Sequence, residues 1–353
     1  MGSVKAYVFL LFIATLSSFT MAVPQVPCYF IFGDSLYDNG NNNHLFTEAK
    51  SDFPPYGIDH PDGPTGRFSN GRNIADVIAQ LLGFENSIPP YASASGEDIL
   101  RGVNYASGAA GIREESGQHL GGRISLDRQI AHHATTILKL VELIGNGSLA
   151  PVRRHLKKCI YTVAMGNNDF INNYFFPQYY KTSSLYTPEE YAEVLVQQYT
   201  QQLSKLYEYG ARKLGISGAG YSGCAPAMMT RYETNGCVDA VNGAVVQFNA
   251  KLTTALVDLE SKLTGAKFVY INPSLGYSPE FNVTDKPCCN VSTTIGEGQC
   301  APNQEPCVAR QNYVFWDAFH PTENISIVDG ATAYATMSPF YVSQTKLKLP
   351  LSV

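Results

Sequence analysis

The stretch CYFIFGDS, residues 28–35, decides how the chain is expected to fold. Its first five residues form a short apolar run that ends at Gly33, and polar residues follow at once. A short apolar run bounded by a turn glycine is typical of a strand that is buried on both faces. The sequence therefore predicts a buried strand whose carboxyl end presents Asp34 and Ser35.

Similar runs recur along the chain, with helical segments between them. Further strands are predicted at residues 99–106, Ile160–Ala164, Lys213–Ser217 and 268–272, and helices at residues 74–82, Leu126–Ile144, 187–210, 238–263 and 321–337. Strands that alternate with helices indicate parallel βαβ units. We therefore expect an α/β fold with three layers, α/β/α, around a doubly wound and mainly parallel sheet. In such sheets the ligand site lies at the carboxyl ends of the strands.

Composition and charge exclude several classes of protein. The 353 residues are enough to bury a sizeable core, and 44% of them are hydrophobic, which argues against a disordered chain. The formal net charge is −5, and the basic residues cluster only at 153–154 and 157–158. Nucleic acid binding needs a larger basic surface, so nucleic acids are not expected partners.

The N-terminus has the features of a secretory signal peptide. Lys5 precedes an apolar run over residues 6–19, and small and polar residues follow it up to Ala22. A spanning helix needs roughly 20 apolar residues. We therefore expect cleavage after Ala22, no membrane anchor, and one single domain over residues 23–353.

All eight cysteines lie beyond this segment, and an even number in a secreted chain favours disulfides. None has the spacing of a zinc site, so we expect no metal and no cofactor. Cys28 and Cys159 each lie seven residues before a polar turn, which predicts that they pair across neighbouring strands. Cys224–Cys237 is a second expected pair. The remaining four form a cluster whose connectivity stays open: Cys288, Cys289, Cys300 and Cys307.

Four Asn-x-Ser/Thr sequons predict N-glycans, provided that the segments carrying them are exposed. They begin at Asn146, Asn282, Asn290 and Asn324. Together with the signal peptide they predict a secreted, extracellular glycoprotein.

Ser35 is the candidate nucleophile, because a turn after a buried strand can direct its hydroxyl into the crevice at the sheet end. Serine is a weak nucleophile until a base accepts its proton, and histidine suits that task near neutral pH. His132 and His133 are expected on the solvated face of a helix. His320 differs, because Asp317 lies three residues before it, a spacing that brings the carboxylate to the imidazole in a turn. These residues predict a triad of Ser35, His320 and Asp317.

Acyl transfer also needs hydrogen-bond donors for the developing oxyanion. Two segments at predicted strand ends contain suitable groups: residues 104–111, NYASGAAG, and residues 166–169, GNND. A glycine N–H and an asparagine amide would complete the oxyanion hole. The GxSxG motif of α/β-hydrolases is absent from the sequence.

Four blocks of this sequence, in this order, resemble the GDSL lipase/esterase family, also called SGNH hydrolases, in its plant branch. They are GDSLYDNGNNN at 33–43, GVNYASGAAGI at 102–112, GNND at 166–169 and DAFHPT at 317–322. The segment from Pro64 to Gly83 is similar to a further stretch of the plant branch. The resemblance covers nearly the whole chain beyond residue 22. It implies an SGNH, flavodoxin-like fold, hydrolysis of small-molecule or lipid esters, and a place in the cell wall or apoplast.

The resemblance also implies a role for each matching residue. Ser35 would be the nucleophile and would donate its own N–H to the oxyanion. Gly108 would supply the second N–H, and Asn168 would supply its side-chain amide. His320 would be the base, oriented by Asp317.

Three features of the sequence leave questions open. The family carries glycine at either of the positions of Gly108 and Ala109, so either N–H is a candidate for the oxyanion. Asp34 and Asp38 belong to the first block without an assigned role. The aromatic residues at 174–180 are equally consistent with a substrate pocket and with ordinary packing.

Two other functions remain open from the sequence. An acyltransferase would use the same site, with an alcohol or a sugar in place of water as the acceptor. A glycan-binding wall protein would carry an inactive triad.

Overall fold

The fold is described from a computed structural model that covers residues 23–273, 281–292 and 297–341. The expected signal peptide, residues 1–22, lies outside the described residues. The main sheet has four parallel strands in the spatial order β1 (Tyr29–Gly33), β2 (Ile160–Ala164), β3 (Lys213–Ser217) and β4 (Lys267–Ile271). A small parallel sheet pairs β5 (Val283–Pro287) with β6 (Tyr313–Phe315).

The helices connect these strands much as the periodicity predicts. They are α1 (Ile74–Leu81), α2 (Leu126–Ile144), α3 (Leu149–Leu156), α4 (Asn167–Asp169), α5 (Thr182–Leu185), α6 (Pro188–Tyr209), α7 (Pro226–Arg231), α8 (Asp239–Lys262) and α9 (Glu323–Thr336). Helix α6 follows the capping box of Thr187 and Glu190 and ends at Gly210, as its sequence predicts.

Helices cover both faces of the main sheet, which confirms the three-layer α/β/α fold. Side chains of adjacent residues on β1 point to opposite faces. Phe30 and Phe32 pack with the apolar residues of α2, α3, α6 and α8. Tyr29 and Ile31 pack against α1 and α9 on the other face. All residues of β1 and β2 are buried, so these two strands form the centre of the core.

The prediction of a regular strand at residues 99–106 is wrong, although part of this segment does lie beside β1. Residues 96–100 form a 3-10 turn, and the following segment pairs in parallel with β1 through bonds such as Ile31 N–H to Val103 O. Gly102 has φ +127° and lies so close to Tyr29 that a Cβ would be 1.9 Å from the Tyr29 oxygen. The Asn104 side chain also binds backbone groups, which competes with a regular ladder.

The predicted cysteine pairs are confirmed. Cys28 pairs with Cys159, as expected for neighbouring strands in which Tyr29 lies opposite Ile160. Cys224 pairs with Cys237. The sequence leaves the pairing of the other four cysteines open. In the structure, Cys288 pairs with Cys307 and Cys289 pairs with Cys300.

The prediction that His133 lies on a solvated face is wrong. His133 is completely buried between the rings of Phe30, Phe32 and Tyr161, and its Nδ1 lies 3.1 Å from the Tyr105 hydroxyl. Burial lowers the pKa of His133 to about 3, so the ring is neutral. The aromatic side chains of the adjacent strands accommodate this polar residue in the core.

Three of the four sequon asparagines are exposed: Asn146, Asn282 and Asn290. Asn324 lies in the first turn of α9, is partly buried, and donates to Gln311 O. Among the described residues, no helix combines the length and the apolar character that crossing a bilayer requires.

Candidate active site

The carboxyl end of β1 and the segment before α9 bring three predicted residues together. The Ser35 Oγ lies 2.7 Å from His320 Nε2, although the residues are 285 positions apart. On the other side of the ring, His320 Nδ1 lies 2.7 Å from Asp317 Oδ2. Ser35 and His320 are each 8% exposed, whereas Asp317 is completely buried. This is the hydrogen-bonding pattern of a nucleophile, a base and an orienting carboxylate.

The Asp317 carboxylate is held by several donors besides the imidazole. Its Oδ1 accepts the backbone N–H groups of Phe319 and His320, which shapes the tight turn between the acid and the base. Its Oδ2 accepts the hydroxyl of Tyr56 at 2.6 Å. The same hydroxyl accepts the N–H of Cys300, a residue of the Cys289–Cys300 disulfide. A charged group in a buried site needs such donors, because it has lost its hydration.

Tyr56 is a site residue that reasoning from the sequence missed. Burial and the adjacent Asp317 carboxylate raise the pKa of Tyr56 well above its usual range, so the hydroxyl keeps its proton and acts as a donor. In the sequence, Tyr56 precedes a glycine in an apolar segment that contains prolines. Such a pattern indicates a turn and gives no sign of a contact with Asp317.

Asn168 lies just beyond the carboxyl end of β2, the strand next to β1. Helix α4 follows β2, and Asn168 lines the same cavity as the serine. Its Oδ1 accepts from Asn172 and its Nδ2 donates to Ala110 O at 3.0 Å. These bonds fix the amide and leave its second N–H available, since a primary amide has two.

The resemblance implies that Gly108 supplies an N–H to the oxyanion, but in the structure this N–H has a protein acceptor. That N–H donates to Asp38 Oδ2 at 2.9 Å, so it is already engaged in the protein. Asp38 also accepts the N–H groups of Gly40 and Asn41 on its other oxygen. The Asp38 carboxyl, to which the sequence assigns no role, therefore links the first block to the glycine block. Burial raises its pKa to about 6.

Ala109, the residue after Gly108, is the other candidate donor. It lines the cavity, and its φ of 63° lies in the left-handed region. Within the part of the chain that the structure describes, the N–H groups of Ser35 and Ala109 have no protein acceptor. Two backbone N–H groups and the Asn168 amide are thus the candidate donors for an oxyanion.

Asp34 precedes the serine and shapes its turn. Its Oδ1 accepts the N–H of Leu36, and its Oδ2 lies 3.3 Å from Asn167 Nδ2. Burial raises the pKa of Asp34 to about 6. This carboxyl contacts the backbone around Ser35 and not the imidazole, so its contacts indicate a positioning role.

The site opens into a cavity of about 550 Å³. Apolar side chains from α1, α9 and the small sheet contribute to its lining, among them Ile74, Phe315 and Ile325. Phe176 and Tyr179 also line it, which favours the pocket interpretation of the aromatic segment. The segment 218–226 also contributes to the wall.

One group of potential metal ligands lies elsewhere. Among the described residues, ligand atoms of Cys28, His155 and Cys159 lie within 4.8 Å of one another. Both cysteines are joined in a disulfide, and a disulfide sulfur is not the thiolate that binds zinc. These residues therefore do not fit a metal centre.

Comparison with known proteins places the chain in a family. The model of the family described as GDSL-like Lipase/Acylhydrolase matches residues 29–325. GDSL esterase/lipase At5g45670 of Arabidopsis thaliana is 48% identical over 330 residues, which cover 91% of this chain and 91% of that protein. GDSL esterase/lipase At4g18970 of the same plant is 46% identical over 332 residues, again with 91% of each chain covered.

A solved structure, the alpha/beta hydrolase enzyme LAE5 from the metagenome of Lake Arreo, aligns with 92% of this chain and 100% of its own. The alignment has a TM-score of 0.41 and 11% identity. The family model and the two plant relatives span most of the sequence. The chain therefore belongs to the GDSL-like lipase/acylhydrolase family.

Proposed function

We propose that this protein is a secreted serine esterase that hydrolyses small-molecule or lipid esters through an acyl-enzyme on Ser35. Membership of the family makes the chain a carboxylic ester hydrolase. One observation carries the finer proposal: His320 lies 2.7 Å from Ser35 Oγ on one side and 2.7 Å from Asp317 on the other.

In the first step, Ser35 Oγ attacks the ester carbonyl carbon while His320 Nε2 accepts the hydroxyl proton. Asp317 stabilises the resulting imidazolium. The oxyanion of the tetrahedral intermediate accepts hydrogen bonds from the N–H groups of Ser35 and Ala109 and from Asn168 Nδ2. The intermediate collapses, the imidazolium protonates the leaving alcohol, and the acyl group stays on Ser35.

In the second step, His320 takes a proton from water, and the hydroxide attacks the acyl-enzyme. Collapse of the second intermediate releases the acid and returns the proton to Ser35. The apolar part of the cavity supports an acyl chain as the group bound beside the serine, since such a surface loses contact with water when the chain enters.

The test is loss of the nucleophile. We expect Ser35→Ala to remove turnover of p-nitrophenyl esters and labelling by a fluorophosphonate, with an unchanged circular dichroism spectrum. Ser204→Ala is the control, because this hydroxyl lies in α6 and, among the described residues, donates to Thr200 O alone. Turnover by Ser35→Ala equal to the wild-type rate would contradict the proposal.

The same assay separates the two other functions. Ester products formed with an added alcohol would show acyl transfer in place of hydrolysis. A protein that binds glycans with an inactive triad would not react with the fluorophosphonate, since that reagent needs an activated serine.

Secretion, a single domain over residues 23–353 and N-glycans complete the proposal. Four disulfides among the described residues support an oxidising compartment. Protein collected from the medium of plant cells should begin at Val23 and lose mass on treatment with an N-glycosidase. An N-terminus at Met1 would contradict it.

A further inference from the structure

Arg231 places a positive charge in the wall of the cavity that contains Ser35. It is the last residue of α7, and its side chain lines that cavity. The guanidinium is held in one orientation: Nη1 donates to Ile171 O at 2.7 Å, and Cζ lies 3.9 Å from the ring centre of Phe176. The contact with the ring face is a cation–π interaction. The side chain is therefore already ordered before any ligand binds.

In the described part of the protein, the carboxylate of Glu297 attracts this charge but lies beyond ion-pair distance. Arg231 forms no ion pair there, and its Nε and Nη2 atoms donate to no protein acceptor. A guanidinium has five N–H donors, and leaving several without an acceptor in a partly buried place is unfavourable. An anion from outside the protein would satisfy them.

Among the described residues that line the cavity, Arg231 is the only arginine or lysine. Burial and the guanidinium groups of Arg231 and Arg123 lower the pKa of His119 to about 4, so this ring is neutral near pH 7. Glu297 also lines the cavity, and its carboxylate attracts Arg231 without forming an ion pair with it. Glu297 is exposed, so water screens its charge.

We propose that Arg231 is a subsite for an anionic group, a carboxylate or a phosphate, on the ester substrate. The proposal rests on ester hydrolysis at Ser35 and adds a substrate class to it. The free edge of a guanidinium presents two parallel N–H groups, which match the two oxygens of a carboxylate or a phosphate. A neutral ester of the same length would leave these donors unsatisfied.

The first test compares two substrates that differ in one charge. Mono-p-nitrophenyl adipate carries a free carboxylate, and its methyl ester is neutral with the same chain. Mono-p-nitrophenyl esters of shorter and longer dicarboxylic acids vary the distance between the ester and the free carboxylate. We expect the wild-type enzyme to prefer the charged member of at least one pair, and 1 M NaCl to weaken that preference because salt screens the attraction.

The second test changes the residue. We expect Arg231→Gln to lower the ratio of kcat/KM for the charged ester to kcat/KM for the neutral ester about 10-fold, whereas Arg231→Lys keeps part of the preference. Equal effects of Arg231→Gln on both esters would overturn the subsite. Loss of every ester activity in the wild type would instead overturn the proposed function.

Two further measurements distinguish a phosphate from a carboxylate as the bound anion. Both use the wild-type protein. A lysophospholipid compared with a monoacylglycerol of the same acyl chain tests a phosphate beside the ester. Inorganic phosphate and glutarate are then tested as competitive inhibitors of neutral-ester hydrolysis by the wild type. Inhibition by one identifies the preferred anion; absence of inhibition by either, together with no preference for charged esters, would refute the subsite.

Discussion

The hydroxyl of Tyr56 donates a 2.6 Å hydrogen bond to Oδ2 of Asp317, a residue 261 positions further along the chain. Tyr56 is almost completely buried, and its oxygen also accepts the Cys300 N–H. The carboxylate beside His320 is thus fixed from both sides, by the turn that carries it and by a distant tyrosine. Tyr56 acts through Asp317 and is a positioning residue.

We expect Tyr56→Phe to lower kcat about 10- to 150-fold with little change in KM, because a hydrogen bond to a charged group contributes about 1.5–3 kcal/mol. Steady-state kinetics on a neutral p-nitrophenyl ester would measure both constants. Tyr161→Phe is the matched control, since this buried hydroxyl has no partner in the described structure. An equal fall in kcat for both variants would show that the effect is not specific to Asp317.

Asn168→Ala should reduce kcat about 10²- to 10³-fold, the usual loss when one oxyanion donor is removed. KM should change little, because this donor acts most strongly on the charge that develops in the transition state. The variant should still react with a fluorophosphonate, more slowly than the wild type. Unchanged kcat would exclude Asn168 from the oxyanion hole.

Ala109→Gly should stabilise the protein slightly and preserve its activity. At φ 63°, steric strain in alanine destabilises the folded protein by about 1–2 kcal/mol. Glycine has no such strain, but it loses more conformational freedom on folding, which costs roughly 0.5–1 kcal/mol. Thermal denaturation should show a rise in Tm of about 1–2 °C. Ala110→Gly, at a neighbouring buried position without a positive φ, should lower Tm. A fall in both variants would contradict the strain argument.

Asp169→Asn should change how stability depends on pH. Asp169 is buried and accepts the Ser116 hydroxyl and the N–H groups of Ile112 and Arg113, and burial raises its pKa to about 6 from 3.8. Between these values the native carboxyl binds more protons than the unfolded one. Its contribution to stability therefore grows as pH falls from about 6 to about 4, and is lost as pH rises through 6.

Asparagine cannot take up this proton. The wild-type protein should therefore gain up to about 1.4 kcal/mol per pH unit relative to Asp169→Asn as pH falls through that window. Urea denaturation of both proteins at several pH values between 4 and 7 measures the difference. Parallel stability curves would show that the Asp169 carboxyl does not titrate differently in the native state.

The sequence predicts well what depends on one segment or on neighbouring strands. The run before Gly33 indicates a buried strand, and the three-residue spacing of Asp317 and His320 already places acid and base together. The Cys28–Cys159 pair follows from equal distances to the ends of two strands that prove to be adjacent.

The sequence predicts poorly what depends on loops that meet only in the folded protein. Nothing near Tyr56 indicates Asp317, and nothing near Arg231 indicates a cavity shared with Ser35. The bond from Gly108 to Asp38 joins two loops 70 residues apart, so the choice between Gly108 and Ala109 needs the structure. His133 has polar neighbours in sequence but aromatic neighbours in space.

The Cys288–Cys307 bridge encloses the residues 302–305, which are exposed. A protease that cuts the backbone there would produce two polypeptides, and the one that carries Asp317 and His320 would stay covalently tethered to the one that carries Ser35. The cleaved protein would keep Ser35, Asp317 and His320 in one covalently linked molecule. The two polypeptides could separate only after a reducing agent had broken the bridge.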